Sequence, residues 1–340
     1  MTISDRKQEH LKLAHQLFDP KKRNDFDRMH LVAPALPETY VDQNILQVEI
    51  NHKRLAAPFF IEAMTGGNKQ SQEINRHLAR IAAKTNIAMA LGSASLLEKH
   101  PERLESFLVA RQENPDGVLL ANVNPNTNPE LAQKLVTALN ADALQIHVNV
   151  PQEIVMPEGD RDFLWLKNMD AIRQAVNVPV IVKAVGFGFD HQSLMRLKAH
   201  HYEWIDVGGR GGTNFVAIEN QRGHHSYDYL QDLGLSTIQS LVLGENTGLQ
   251  FIASGGVRQP LDIIKSLALG AHGVGIANTF LETLRSQGEE GLFNQIQNWK
   301  QQLASLIAMF GAQRLSDLTK STFYFDADFE QELMHLKKQA

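Results

Sequence analysis

The chain has 340 residues, 43% of them apolar and 21% charged, with 33 basic against 38 acidic side chains and a net charge of −5. That balance excludes a nucleic-acid or polybasic membrane-surface protein, and no basic run exceeds Lys21-Lys22-Arg23. The absence of cysteine excludes disulfides, thiolate metal sites and every thiol-based mechanism.

Residues 1–30 are polar, with a helical run near Lys7–Leu17, and the first ten carry no apolar core. No signal peptide and no membrane span are therefore expected, and the expected location is the cytoplasm. Ile45–Ile50 alternates apolar and polar residues and predicts a half-buried strand capping the bottom of a barrel. A repeat then begins. Apolar strand candidates start near Phe59, Ile87, Val118, Ala143, Val180, Trp204, Phe251 and Gly273. Helical patterns separate them, among them Gln72–Thr85, Pro101–Glu113, Pro129–Asn140, Leu164–Val176 and Pro260–Leu269. Short strands alternating with helices mean a parallel sheet with right-handed crossovers. Eight units in that order predict an α/β fold of the (β/α)8 TIM-barrel type. We expect an N-terminal extension and barrel-bottom cap over 1–58, and the barrel over 59–340, as one domain overall. A Rossmann-like sheet would want G-x-G-x-x-G opening its first helix, which is missing there. Arg210–Gly234 reads as a long polar loop at the catalytic face.

In such a barrel the site lies at the C-terminal ends of the strands. Ser254-Gly-Gly-Val-Arg258 and Gly273-Val-Gly-Ile-Ala-Asn278 are two glycine turns one repeat apart, the pattern of a phosphate site after strands 7 and 8. Other strand ends give Glu62-Ala-Met-Thr-Gly-Gly67, Gly92-Ser-Ala-Ser95, Ala121-Asn-Val-Asn124 and the glycine-dense Asp206–Thr213. On strand 4, a period of two puts Gln145, His147 and Asn149 on one inward face, followed by Gln152-Glu153. Glu153 is a lone carboxylate, and Mg²⁺ commonly takes one or two carboxylates plus ligand phosphates. Lys183 lies inside an apolar strand, so it needs a counter-charge. A structural salt bridge is one partner; its place near the mouth favours a bound anion. His200-His201 and His224-His225 read as solvated.

These residues resemble type 2 isopentenyl diphosphate isomerases. The resemblance is carried by Arg6-Lys7-x-x-His10, Ala63–Gly67, Gly92-Ser93, His147-Val-Asn149, Gln152-Glu153, Met156–Gly159, Lys183–Gly188, Gly209–Thr213, Ser254–Arg258 and Ala277-Asn278. It implies an enzyme that interconverts isopentenyl and dimethylallyl diphosphate with reduced FMN, Mg²⁺ and NADPH as reductant, assembled as a homotetramer or homo-octamer. It implies FMN contacts at Ala63, Met64, Thr65, Ser93, Asn122, Lys183, Thr213, Gly256, Arg258, Ala277 and Asn278. Diphosphate contacts are implied at Arg6, Lys7, His10, Ser95 and His147. His147, Asn149 and Gln152 are implied at the reacting end, where Gln152 also meets the substrate, and Glu153 at Mg²⁺. Two departures stand out: Gly208 replaces a serine common in the family, and an arginine that many members carry near Ser95 is missing. FMN-linked 2-hydroxy acid oxidases, the nearest alternative, place a base histidine where this chain has Val207-Gly208.

Overall fold

The computed structural model describes residues 3–50, 52–223 and 226–340, with side chains from Lys7 onward. In chain order the elements are α1 (Ile3–Gln16), β1 (Met29–Leu31), β2 (Val48–Ile50), β3 (Lys53–Leu55), β4 (Phe59–Ile61) and α2 (Lys69–Thr85). They continue with β5 (Met89–Ala90), α3 (Glu105–Glu113), β6 (Leu119–Val123), α4 (Pro129–Leu139), β7 (Ala143–Val148), α5 (Val150–Val155) and α6 (Leu166–Ala175). Next come β8 (Val180–Ala184), α7 (His191–Ala199), β9 (Trp204–Asp206), α8 (Phe215–Arg222), α9 (Thr237–Gly244), β10 (Gln250–Ser254) and α10 (Pro260–Ala268). The chain ends with β11 (Ala271–Ile276), α11 (Asn278–Met309), β12 (Phe323–Phe325) and α12 (Ala327–Gln339).

Strands β4 to β11 pair in parallel and in chain order, and β11 returns to β4 to close the barrel. All eight strand candidates are strands of this barrel. Local chemistry sets the helix ends between them. Asn68, Asn128 and Asp190 each accept a hydrogen bond from the first turn of α2, α4 and α7, satisfying amides that would otherwise lack partners. Asn86 and Asn140 end α2 and α4 in the left-handed conformation.

The barrel interior is layered, and the layering positions the site. Near the N-terminal ends of the strands the inward residues are Phe60, Leu120, Ala143, Ile181, Trp204 and Ile252. Two residues further along the same strands they become Glu62, Asn122, Gln145, Lys183, Asp206 and Ser254. The period of two keeps each pair on one face. The hairpin β2–β3 closes the apolar end, with Leu55 and Val48 packed on that layer. A plugged apolar bottom excludes water from below, so the polar layer is reached from the other end.

Three expectations need correction. Ile45–Ile50 is not one strand: Asp42 accepts from Asn44 N and holds Gln43–Leu46 in a 3-10 turn, leaving only Val48–Ile50 extended. Pro101–Glu113 is not one helix: a 3-10 turn over Pro101–Arg103 precedes α3. Arg210–Gly234 is not a plain loop, because it contains α8, capped by Asn214. Among the described residues no helix is long and apolar enough to cross a membrane.

Candidate active site

A cavity of about 1000 Å³ opens at the C-terminal ends of the barrel strands, floored by the polar layer and roofed by α1. On the floor, Lys183 Nζ donates to Asp206 Oδ2 at 2.7 Å and to Ser254 Oγ at 2.8 Å, and lies 3.4 Å from Glu62 Oε2. Lys183 therefore has its counter-charges inside the barrel wall, which corrects the preference for a bound anion as its partner. Burial disfavours the ammonium, but Asp206 and Glu62 outweigh it and hold the Lys183 pKa above the usual lysine value. Burial also pushes the Glu62 carboxyl up to about 7.

One chain of hydrogen bonds fixes the orientation of every amide on the floor. Ala63 N and Gln145 Nε2 both donate to Glu62 Oε1, at 2.7 and 3.0 Å. Gln145 Oε1 then accepts from Asn122 Nδ2 at 2.9 Å, and Asn122 Oδ1 faces His147 Nδ1 at 2.8 Å. An amide oxygen only accepts, so Nδ1 carries the proton and Nε2 keeps a lone pair. Burial, with the positive charges of Lys7 and Lys183, lowers the His147 pKa to about 4. A neutral ring of this tautomer offers the cavity an acceptor rather than a cation. That does not suit His147 to pairing with diphosphate.

The roof is a second polar network. Asn149 follows β7 and caps α5, its Oδ1 accepting from Gln152 N and its Nδ2 donating to Gln152 Oε1 at 2.8 Å. Asn149 is buried and does not line the cavity, so it positions Gln152 instead of approaching the substrate itself. Strand periodicity fails for Asn149 because β7 has already ended at Val148. Gln152 Nε2 donates to Glu219 Oε1 at 3.0 Å, and His10 Nε2 of α1 lies 2.7 Å from the same oxygen. Arg222 joins Glu219, Glu9 and Glu158. Burial would raise the Glu219 pKa, but His10, Gln152 and Arg222 together hold it below the carboxylate range. Lys7 Nζ donates to Gly66 O and Ser93 O, both at 2.8 Å. Helix α1 is thus fastened to the mouth through Lys7, Glu9 and His10.

At the far side, the turns after β9, β10 and β11 meet. A Cβ on Gly255, whose φ is +94°, would stand 2.1 Å from Gly209 O, so only glycine allows the turns to touch. Gly208 has φ +43° and a Cβ there would fall 1.7 Å from Ala184 O, which rules out the family's serine without a backbone shift. Thr213, Ala277 and Asn278 line the cavity, with Ala277 and Asn278 at the start of α11. Gly256 and Arg258 do not line it. Gly256 O accepts from Asn24 Nδ2 at 2.9 Å, and the Arg258 guanidinium turns outward to Asp27 and to Lys22 O. A direct flavin contact from the Arg258 side chain is therefore corrected to a structural pairing.

Ala63, Met64, Thr65, Ser93, Asn122 and Lys183 line the cavity, as do Lys7, His10, Ser95, His147, Gln152 and Glu153. Ser95 Oγ accepts from Asn124 N at 2.7 Å. Glu153 Oε2 accepts from Asp160 N at 2.7 Å at the rim. The Arg6 side chain and His224-His225 lie outside the described residues. His200 is not simply solvated: its Nδ1 lies 2.7 Å from Asp170 Oδ2. Sequence reasoning took Glu62 and Asp206 only as the starts of glycine turns and missed their pairing with Lys183; it missed Glu219, Arg222, Asn24 and Asp27 outright. A signal existed for Glu62 and Asp206, each two residues after an apolar inward position. None existed for Glu219, whose partners beyond its own helix, His10 and Gln152, come from two distant segments.

The family model of FMN-dependent dehydrogenases matches residues 121–324. An isopentenyl-diphosphate delta-isomerase of Limosilactobacillus reuteri is 40% identical over 331 residues, 96% of this chain and 95% of that one. One of Staphylococcus haemolyticus is 42% identical over 94% of this chain and 93% of its own. The chain belongs to the isopentenyl-diphosphate delta-isomerase family. A mandelate oxidase solved with benzoyl-formic acid shares the fold, with a TM-score of 0.62 and 15% identity over 89% of this chain and 88% of that one. Against this isomerase-family background the cavity fits FMN. Its volume is ample, Gly208, Gly209 and Gly255 bring backbone to its wall at turns too tightly packed for a Cβ, and the start of α11 faces it. For Mg²⁺ the donor set is thin: among the described residues no group of three His, Asp or Glu could hold a metal. A single rim carboxylate fits only an ion that also takes phosphate oxygens from a ligand.

Proposed function

We propose that the protein interconverts isopentenyl and dimethylallyl diphosphate by a 1,3-proton shift, with FMN kept reduced by NADPH and Mg²⁺ shared between Glu153 and the substrate. The observation that carries this reading is the junction of Gln152 with Glu219 and His10, where the roof helix meets the cavity. FMN, when bound and reduced, supplies the proton relay that an unactivated alkene requires. Ala63, Met64, Thr65, Ser93, Asn122, Lys183, Thr213, Ala277 and Asn278 would hold it, with Gly256 serving through its backbone.

The chain's own residues bind, orient and exclude water. Arg6, Lys7, His10 and Ser95 receive the diphosphate. Asn149 and Glu219 fix both ends of the Gln152 amide, so that it meets the substrate in one orientation. His147 presents the Nε2 lone pair and receives a hydrogen bond. Helix α1 closes the roof, which strengthens each polar contact beneath it. A 2-hydroxy acid oxidase is the weaker reading, because Gly208 has no room for the base such an enzyme needs. The enzyme is proposed to work in the cytoplasm as a homotetramer or homo-octamer.

The test is turnover of isopentenyl diphosphate with FMN, NADPH and Mg²⁺ in deuterated water. Deuterium should enter the product at carbon while NADPH consumption stays far below turnover. Stoichiometric consumption would make the protein an oxidoreductase. Glu153→Gln should abolish Mg²⁺-dependent turnover with FMN still bound, and retained Mg²⁺ dependence would remove Glu153 from the metal.

A further inference from the structure

The charges on the cavity floor do not cancel. One ammonium, Lys183, sits among two carboxylates, Glu62 and Asp206, all of them buried. If both carboxylates are ionised, the cluster carries one uncompensated negative charge where solvation is poor, and such charges are costly.

The two carboxylates are not equivalent. Asp206 has both oxygens served: Oδ2 by Lys183, and Oδ1 by Ser254 Oγ at 2.6 Å and Gly208 N at 3.1 Å. Glu62 has Oε1 served by two N–H donors, while Oε2 has no hydrogen-bond donor and lies 3.4 Å from the Lys183 ammonium, with the Asp206 carboxylate also acting on Glu62. The other groups around the pair are neutral: Gln145 and His147 from β7, Asn122 from β6 and Ser254 from β10. Gly275 of β11 presents no side chain, and a Cβ there would fall 2.3 Å from Oε2. Of the other cations lining the cavity, Lys7 of α1 is engaged by Gly66 O and Ser93 O, Arg222 of α8 by Glu219, Glu9 and Glu158, and Lys99 is exposed to solvent. A proton entering this cluster therefore has one open acceptor, Glu62 Oε2.

We propose that Glu62 is the proton-storing group of the floor, taking one solvent proton on Oε2 whenever the ligand in the cavity gains negative charge, as the flavin ring does on reduction. The inference rests on the reading that the cavity binds FMN. The balance is simple. Two electrons, supplied by an external reductant, and one proton go to the flavin. A second proton converts the Glu62 carboxylate to its acid, so the net charge of floor and ligand is unchanged on reduction instead of falling by one. Lys183 is thereby released from Glu62 and its charge serves the ligand. The proton on Oε2 leaves Oε1 an acceptor, so the orientations of Gln145, Asn122 and His147 are kept. Burial already holds the Glu62 carboxyl near neutrality, at about 7, so the proton is available at working pH. Glu62 is a positioning residue here, acting on the ligand through Lys183.

The experiment is a potentiometric titration of the FMN-loaded enzyme as a function of pH. Between about pH 7 and pH 9 the native protein should take up two protons per two electrons, and Glu62→Gln only one. Below about pH 6 Glu62 is already protonated before reduction, and the two proteins should coincide. Equal proton counts in both proteins across the range would overturn the proposal. A reduced-minus-oxidised infrared spectrum of the native enzyme serves if Glu62→Gln fails to fold. It should show a new carboxylic-acid band that shifts on ¹³C-glutamate labelling, and its absence would equally overturn the proposal. A protein that takes up no FMN at all would overturn the cofactor reading and the inference with it, and that outcome is visible before any titration begins.

Discussion

Arg258 Nη2 donates to Asp27 Oδ1 at 2.7 Å, tying the segment after α1 to the turn that follows β10. Two further bonds run the same way: Asn24 Nδ2 donates to Gly256 O, and Lys265 Nζ donates to Phe26 O. Burial raises the Asp27 pKa, but Arg258 outweighs it and leaves the carboxyl below its usual range. The segment over residues 22–28 is thus a strap across the outer side of the glycine cradle. Asp27→Ala should loosen that cradle. A charge-assisted bond contributes roughly 1.5–3 kcal/mol, so the Kd for FMN should rise about 10- to 100-fold. Equilibrium flavin binding measures it, and an unchanged Kd would show that the strap does not shape the cradle.

Glu219 joins Gln152 of α5, His10 of α1 and Arg222 of α8. Glu219→Ala should free the Gln152 amide and unfasten the roof together. Misplacement of a positioned group costs roughly 10²-fold, so kcat/KM should fall by about that factor. FMN content should remain, because the glycine turns lie elsewhere. Hydrogen exchange over Ile3–Gln16 should accelerate in the same variant. Slow exchange there, with normal kinetics, would show that His10 and Gln152 are held by other contacts.

Lys99 lines the cavity and its ammonium makes no hydrogen bond or ion pair among the described residues. It stands four positions after Ser95, on the stretch that lacks the arginine common in the family. Lys99→Ala should raise KM for the diphosphate substrate about 3- to 10-fold, a modest effect because the group is exposed and screened. The kcat should be unchanged, and the KM difference should shrink at high salt. An unaltered KM at low salt would remove Lys99 from the substrate's surroundings.

The pH dependence of stability follows from His147. Its pKa falls from 6.5 to about 4 in the folded protein. The unfolded chain binds a proton below about 6.5 where the native protein does not, so stability present above that pH is lost as pH falls toward 4. The loss amounts to on the order of 2–3 kcal/mol. Urea unfolding from pH 7 to pH 4 should show this loss in the native protein and a smaller one in His147→Gln. Parallel curves would mean that His147 titrates normally.

The eight barrel strands were legible because each is a short apolar run between helical patterns, and that contrast is local. Strand β7 was legible down to its inward face, since alternation put Gln145 and His147 together before any tertiary contact was known. The glycine turns after β10 and β11 were legible for the same local reason. Arg258 was misread because its role depends on Asp27, 231 positions away in sequence. Asn149 was misread because a single residue past the strand end changes which way a side chain points.

By itself, then, the sequence determined what short-range pattern encodes: the barrel, its order, the polar strand ends and the residues that mark the family. Only tertiary structure decided how charges were paired. Whether Lys183 waits for an anion or is already neutralised depends on Glu62 and Asp206, brought to it by closure of the barrel across strands far apart in the chain. The pairing of β1 with β12 is of the same kind, joining Met29–Leu31 to Phe323–Phe325 from opposite ends of the sequence. Side-chain charge acts over a few ångströms, and only the fold sets which groups come that close.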